Sequence, residues 1–359
     1  MSSVERSFKV LSHSIDDGPK CFTISEIGNN HQGDLDLAIK MVDAAKAAGA
    51  DCAKFQKRNN RVLSTSEMYH RPYDSENSFA DTYGAHREVV ELDMAQFHDL
   101  KQYCDEVGVI FSATPFEEAS ADDLESIDTP LYKIASADLN NTPLLRHVAG
   151  FGKPIIISTG YATIEDVDRA VEVLGPVCEN FAILQCTASY PCDTQFLNLR
   201  VIETLRNRYP DRVVGYSGHD AGTALPLVAY MLGARIIEKH MTLSRTMKGT
   251  DHVFSLTPDA MRRMVRDIER VPSALGDGVK QLYDVEVPPM RKMQKRLVAA
   301  RQLEADTVLS RADLIVRVPA DNGPGTLPPY AIDSVVGSRL TRSLAPEEPL
   351  REGDVSGRT

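Results

Sequence analysis

Short runs rich in Ile and Val recur along this chain of 359 residues, each followed by a longer segment of helical period. That alternation leaves few folds open, because neighbouring parallel strands must be joined by long crossovers, usually helices. The first run covers residues 22–27. Its helix, Leu35 to Ala48, sets Leu35, Ile39, Val42 and Ala45 on one face and stops at Gly49. Further strands are expected at residues 52–56, 109–113, 132–135, 154–158, 181–186, 213–216 and 235–238, with a last helix over 258–271. Eight strand–helix units predict an α/β protein of the (β/α)8 or TIM-barrel class. The alternative is an open doubly wound sheet, but no GxGxxG follows any strand to support it.

Two stretches break the rhythm. A polar insertion, roughly residues 57–92, follows the second strand. From about Pro288 the texture becomes β-like, with short runs at 296–300, 307–309, 314–318 and 334–336 separated by Pro, Gly and Asp. The expected organisation is a barrel over 1–284, a linker over 285–295 and a small β-rich domain over 296–359.

A formal net charge of −11 gives no basic surface for nucleic acid, yet leaves room for a locally basic pocket. The longest uncharged apolar stretch, 221–234, is broken by Pro226 and too short to span a bilayer, and the N-terminus lacks the apolar core of a secretory signal. Six cysteines without a CxxC pair read as buried, reduced thiols. Cys186 and Cys192 are close enough in sequence to weigh as catalytic, but structural thiols are the commoner case. A soluble, cytoplasmic protein with no membrane partner is expected.

In a TIM barrel the C-terminal strand ends carry the chemistry. The polar residues there are Glu26, then Lys54 and Gln56, Thr114, Lys133 with Ser136 and Asp138, Ser158, Tyr190, Ser217 with His219, and Glu238 with His240. Two ammonium groups among hydroxyls suit a ligand with both phosphate and carboxylate, since each needs charge-assisted donors. A lone strand lysine would more often be salt-bridged or solvated; two converging with serines point to a ligand. His219 and His240 end adjacent strands. One histidine alone would usually be structural, but two imidazoles aimed at one cavity, with Asp251 nearby, suit a divalent metal. Only two protein nitrogens favour Mn2+, or Mg2+, with oxygen co-ligands over a closed Zn2+ site.

The segments Ser25-Glu26-Ile27-Gly28-Asn29-Asn30-His31, Lys54-Phe55-Gln56, Tyr132-Lys133-Ile134-Ala135-Ser136-Ala137-Asp138, Ser217-Gly218-His219 and Glu238-Lys239-His240 occur in one order. In that order they resemble the N-acetylneuraminate (sialic acid) synthase family. The C-terminal part, through Arg296-Leu297-Val298-Ala299-Ala300 and Val336-Gly337-Ser338-Arg339-Leu340, resembles the family's SAF or antifreeze-like domain, a β-clip-like fold. The resemblance implies condensation of phosphoenolpyruvate with an open-chain N-acylated hexosamine, giving a sialic acid-type nonulosonate and free phosphate. N-acetylmannosamine, its 6-phosphate and diamino hexoses all remain open as acceptors.

By the same resemblance, Glu26, Lys54, Lys133 and Glu238 would be catalytic. Lys54, Thr114, Lys133, Ser136, Ser158 and Ser217 would hold phosphoenolpyruvate. Glu26, Gln56, Asn77, Asp138, Tyr190 and Asp251 would face the sugar, and His219 and His240 the metal. The working unit would be a domain-swapped homodimer in which the SAF domain caps the neighbouring barrel. Three positions depart from the family pattern: Asp138 stands in place of Glu, Ala188 in place of Asn, and Val318 in place of the arginine that reaches the partner's sugar site, with Arg317 adjacent. Two other readings stand beside this one. They are a Schiff-base aldolase with Lys133 as nucleophile and a non-catalytic sugar-binding relative.

Overall fold

The computed structural model describes residues 5–357 and divides into two compact units between Leu275 and Gly276. In the first unit eight parallel strands close into a barrel. They are β1 (Phe22–Gly28), β2 (Cys52–Lys57), β3 (Ile110–Pro115), β4 (Tyr132–Ile134), β5 (Ile155–Ser158), β6 (Phe181–Cys186), β7 (Val214–Gly218) and β8 (Ile236–His240). Closure runs from Ile236 opposite Phe22 to His240 opposite Glu26. Every residue of β1 is buried, as both faces of a helix-covered parallel barrel must be.

Local signals set the helices. Asp34 accepts a hydrogen bond from the Leu37 amide to start helix Leu35–Ala48, and Gly49, at φ 84°, ends it in the left-handed region. Asp93 and Gln96 form a capping box on helix Met94–Val107. The stripe Ala38, Met41, Val42 and Ala45 joins Phe55, Phe97 and Phe111 in one continuous core. Phe55 and Phe111 stack there with ring centroids 5.7 Å apart. The final barrel helix runs Pro258–Leu275, longer than its apolar periodicity predicts.

An unanticipated hairpin precedes the barrel, Phe8–Val10 paired with His13–Ile15. Its Phe8, Val10 and Ile15 pack with Ile24, Cys52, Ile110, Ala182 and Ile236, which come from the starts of the strands. Phe8 and Val10 are wholly buried, so each contributes roughly 1.5–3 kcal/mol by leaving water. With that end stoppered by apolar side chains, polar groups gather at the other. The insertion after β2 is only partly irregular, holding short helices Asn60–Leu63, Ser66–His70 and Tyr83–Val89.

In the second unit Arg296–Ala299 pairs with Leu314–Arg317, and Arg339–Leu340 with Val355–Ser356. Two expected runs are corrected. Residues 307–309 contribute a single bridge, Val308 to Arg339, and 334–336 fall at the end of a short helix, Ile332–Val335. Short apolar runs carry too few residues for periodicity to separate strand from helix. The expected linker contains a 3-10 turn, Asp284–Glu286, and a helix, Val287–Met293. Val318 is exposed, Arg317 pairs with Glu347 at 3.0 Å, and buried Asn322 donates to the Gln294 carbonyl at 2.6 Å.

Candidate active site

A cavity of about 610 Å³ opens where the strands end. Its walls carry Glu26, Lys54, Gln56, Thr114, Lys133, Ser136, Ser158, Tyr190, Ser217, His219, Glu238, His240 and Asp251. Each comes from a strand end or the loop just beyond it. The barrel therefore brings together residues spread over most of the chain.

Lys54 sits between two carboxylates, 2.6 Å from Glu26 Oε2 and 3.8 Å from Glu238 Oε1, and donates to Thr114 Oγ1 at 3.3 Å. Burial opposes its charge, but Glu238 and Glu26 outweigh burial and hold the amine above the ordinary lysine value. The two carboxylates then diverge. Burial pushes Glu26 up, helped by Glu238 and resisted by Lys54. Glu238 is buried too, but the charges of Lys54 and Lys133 bring it below the usual value, with Ser217 donating to Oε1 at 3.0 Å. Neighbouring carboxyls pushed in opposite directions form an acid–base pattern, with Glu26 the readier proton carrier.

Lys133 is 3% exposed and donates to Ser158 Oγ at 2.6 Å and to the Ile134 carbonyl at 2.9 Å. Burial lowers its pKa, Lys54 adding to the effect while Glu238 opposes it. Ser136 accepts from the Gly160 amide at 3.0 Å. A Cβ at Gly160 would lie 2.7 Å from that hydroxyl oxygen, so a side chain there would displace it. Cys186 also lines the cavity, but burial pushes its thiol up, and Cys192 likewise; neither is poised as a thiolate.

The rings of His219 and His240 stand 5.4 Å apart, centroid to centroid, beside Tyr190 and Phe254. Burial brings both imidazoles down to about 4, so both are neutral near pH 7 and each keeps a lone pair. The His219 Nδ1 proton goes to the Thr187 carbonyl at 3.0 Å, which leaves Nε2 as the lone-pair nitrogen. His240 Nδ1 is buried without a hydrogen-bond partner, 3.7 Å from Asp251 Oδ2. Two neutral imidazoles, one with an orphaned nitrogen, fit a divalent cation whose remaining ligands are oxygens. Among the described residues no group of three or more His, Cys, Asp or Glu side chains is arranged to hold a metal ion, so the two imidazoles would need oxygen ligands from elsewhere.

Two expected sugar-facing residues are not in the cavity wall. Asp138 lies in the 3-10 turn after β4 and accepts from Asn141 at 3.1 Å. Asn77 accepts from the Gly249 amide at 3.1 Å, so it braces the loop that carries Asp251. Conversely, Asn29, Arg58, Phe79, Tyr83, His86, Arg87 and Lys248 line the cavity without having been singled out. Most come from the insertion, where no strand-end rule points inward. Arg58 had a signal, since it lies just past β2.

Gly28 shows how tightly the inner wall is drawn. At φ 55° it follows a register shift between Glu26 and Gly28, and a Cβ there would meet Glu26 Oε1 at 3.1 Å and Gln56 Nε2 at 3.2 Å. Such a bulge re-aims the preceding side chain, here Glu26.

A closed barrel gathering two lysines, two carboxylates of opposite tendency and paired imidazoles at its C-terminal mouth defines a barrel enzyme. The chain matches the NeuB family over residues 41–280 and the SAF domain over residues 296–356. It is 38% identical over 332 residues to the N-acetylneuraminate-9-phosphate synthase of Homo sapiens, covering 92% of each chain. It is 34% identical over 331 residues to the N,N'-diacetyllegionaminic acid synthase of Legionella pneumophila, covering 90% of this chain and 92% of that one. The solved N-acetylneuraminic acid synthetase of Leptospira borgpetersenii superposes with a TM-score of 0.68 at 31% identity, covering 81% of this chain and 97% of that one. The chain belongs to the NeuB family and carries a C-terminal SAF domain.

Proposed function

We propose that this chain condenses phosphoenolpyruvate with an N-acylated hexosamine to give a sialic acid-type nonulosonate and phosphate. The observation that carries the reading is the convergence of Lys54 and Lys133 with Thr114, Ser136, Ser158 and Ser217 on one cavity, all but Ser136 buried. A ligand with a carboxylate and a phosphate ester on adjacent carbons needs such a set of charged and hydroxyl donors. The relatives' names supply the sugar side.

The residues divide the work. Lys54, Lys133 and the hydroxyls orient the enol ester so that its methylene carbon meets the aldehyde carbon, and the new carbon–carbon bond forms there. Glu26 passes its proton toward the aldehyde oxygen and, once ionised, takes one from the water that adds at C2; the C2–O bond to phosphate then breaks, and the departing phosphate carries off the remaining hydroxyl proton as the C2 ketone forms. Ionised Glu238 keeps Lys54 charged through this sequence. Tyr190, Gln56 and Asp251 line the cavity and would face the sugar. His219 and His240 would hold a divalent metal, Mn2+ ahead of Mg2+, which when bound supplies Lewis-acid polarisation of the aldehyde oxygen.

The SAF match extends the proposal to a homodimer in which the SAF domain of one copy serves the barrel of the other. Six cysteines outside any disulfide support a cytoplasmic residence as part of the proposal. Among the described residues no helix is long and apolar enough to cross a membrane.

The test is phosphate release from phosphoenolpyruvate with a panel of N-acylated aldoses, with and without exhaustive chelation. No release with any of them would reject the function, and undiminished release after chelation would reject the metal. The lowered Lys133 pKa would also suit Schiff-base chemistry, although Nζ already donates to Ser158 and Ile134. Borohydride trapping of a substrate adduct would favour that second reading.

A further inference from the structure

Arg58 is a buried cation that the proposed chemistry leaves without a task. It lies one residue past β2, 8% exposed, with its guanidinium carbon 3.7 Å from the Phe116 ring centroid. One amino group donates to Gln56 Oε1 at 2.5 Å; the other donates to Asn29 Oδ1 at 2.9 Å and Glu91 Oε1 at 3.4 Å. Glu91 Oε2 also accepts from the Arg58 backbone amide at 3.2 Å. Gln56 in turn donates through Nε2 to Glu26 Oε1 at 2.7 Å.

The chemistry of an amide gives this chain its direction. Guanidinium has donors only, so the Gln56 group facing Arg58 must be its carbonyl oxygen. The NH2 end is thereby turned to Glu26. Without Arg58 the amide could flip and offer its oxygen to Glu26, replacing the hydrogen bond donated to the ionised carboxylate by a lone-pair repulsion, or capturing the proton of the neutral carboxyl. Such a flip changes the carboxylate's partners while changing almost no volume. The other Glu26 oxygen faces Lys54 Nζ at 2.6 Å, and the charges of Glu238 and Lys133 also act in this cluster.

We infer that Arg58, seated by Glu91, is a positioning residue that fixes the Gln56 amide so that it donates to Glu26. The inference rests on the proposed function for the meaning of Glu26, and on the geometry alone for the amide. Arg58→Met should lower kcat roughly ten- to a hundredfold, as misplacement of a reacting group does, with little change in KM for phosphoenolpyruvate. Gln56→Ala should lose a similar factor, and the double variant should be no worse than the poorer single one. Arg58→Lys, which keeps a charged donor, should recover part of the loss.

Multiplying losses in the double variant, or a raised sugar KM at unchanged kcat in Arg58→Met, would overturn the inference; the second would make Arg58 a direct sugar contact. A readout without turnover separates this from the function itself. The Gln56 side-chain amide resonance, assigned by its loss in Gln56→Ala, should be shifted and slow to exchange in the wild-type chain. In Arg58→Met it should move to the position of a free amide. An unchanged resonance overturns the inference even in an active enzyme, and an inactive wild-type chain overturns the proposed function while the amide result still stands.

Discussion

Replacing Lys133 by Met tests the donor side of the site most directly. The substitution keeps most of the stem's volume and removes the charge. An ammonium has three N–H donors, and two are already committed, to Ser158 Oγ at 2.6 Å and the Ile134 carbonyl at 2.9 Å. One is left for a ligand in the cavity that Lys133 lines. A hydrogen bond from a charged donor is worth about 1.5–3 kcal/mol, so kcat/KM for phosphoenolpyruvate should fall by roughly ten- to a hundredfold. Burial already holds the Lys133 pKa below the ordinary lysine value. Donor capture needs the protonated amine, so it should fail as pH rises through that lowered pKa, earlier than an unperturbed lysine would allow. In Lys133→Met this high-pH limb should disappear. The melting temperature should not fall, because folding no longer has to dehydrate this amine. The assay is steady-state phosphate release at saturating aldose across a pH series, with a thermal melt beside it. A variant with donor kcat/KM within twofold of wild type would refute the assignment of Lys133 to phosphoenolpyruvate.

His219→Ala and His240→Ala should each abolish turnover and lower the divalent metal retained after dialysis, measured by elemental analysis, while far-ultraviolet circular dichroism stays unchanged. Glu26→Gln should retain phosphoenolpyruvate binding by calorimetry but lose roughly 10²–10⁴-fold in kcat, the range for a positioned acid–base group. Truncation from Pro288 should raise the aldose KM more than the phosphoenolpyruvate KM, and sedimentation should show the full chain as a dimer. Because one charged donor is worth about 1.5–3 kcal/mol where it finds a partner, Val318→Arg should alter the ratio of kcat/KM among competing aldoses.

What the sequence revealed followed from spacing and strand position. Parallel strands buried on both faces read as unbroken Ile and Val runs, so the eight barrel strands stood out, and the C-terminal-end rule then collected Glu26, Lys54, Lys133, Ser217, His219, Glu238 and His240. The hairpin Phe8–Val10 with His13–Ile15 escaped because three-residue strands carry barely one alternation, although its apolar side chains are as buried as those of the barrel. Asn77 and Asp138 show a different limit. Their chemistry suits a sugar, and each has a local partner, the Gly249 amide for Asn77 and Asn141 for Asp138, which sequence spacing does not reveal.

The insertion was the least legible region and yet supplies much of the cavity's outer wall, through Phe79, Tyr83, His86 and Arg87. A barrel's inner wall is dictated by strand period, whereas its loops answer only to local capping and to whatever they close over. The division has a physical consequence for this enzyme. The groups proposed to hold phosphoenolpyruvate stand on strands, apart from Ser136 in the 3-10 turn after β4, and on a strand a shift of one residue would turn the side chain out of the barrel. Much of the remaining lining stands on the insertion and on the loop after β8, which carries Lys248, Thr250 and Asp251. On the proposed function, donor chemistry would be fixed by the fold, and discrimination among aldoses would be left to loop segments that tolerate substitution. That is the arrangement expected of a family whose named members here share a chemistry and differ in their sugars.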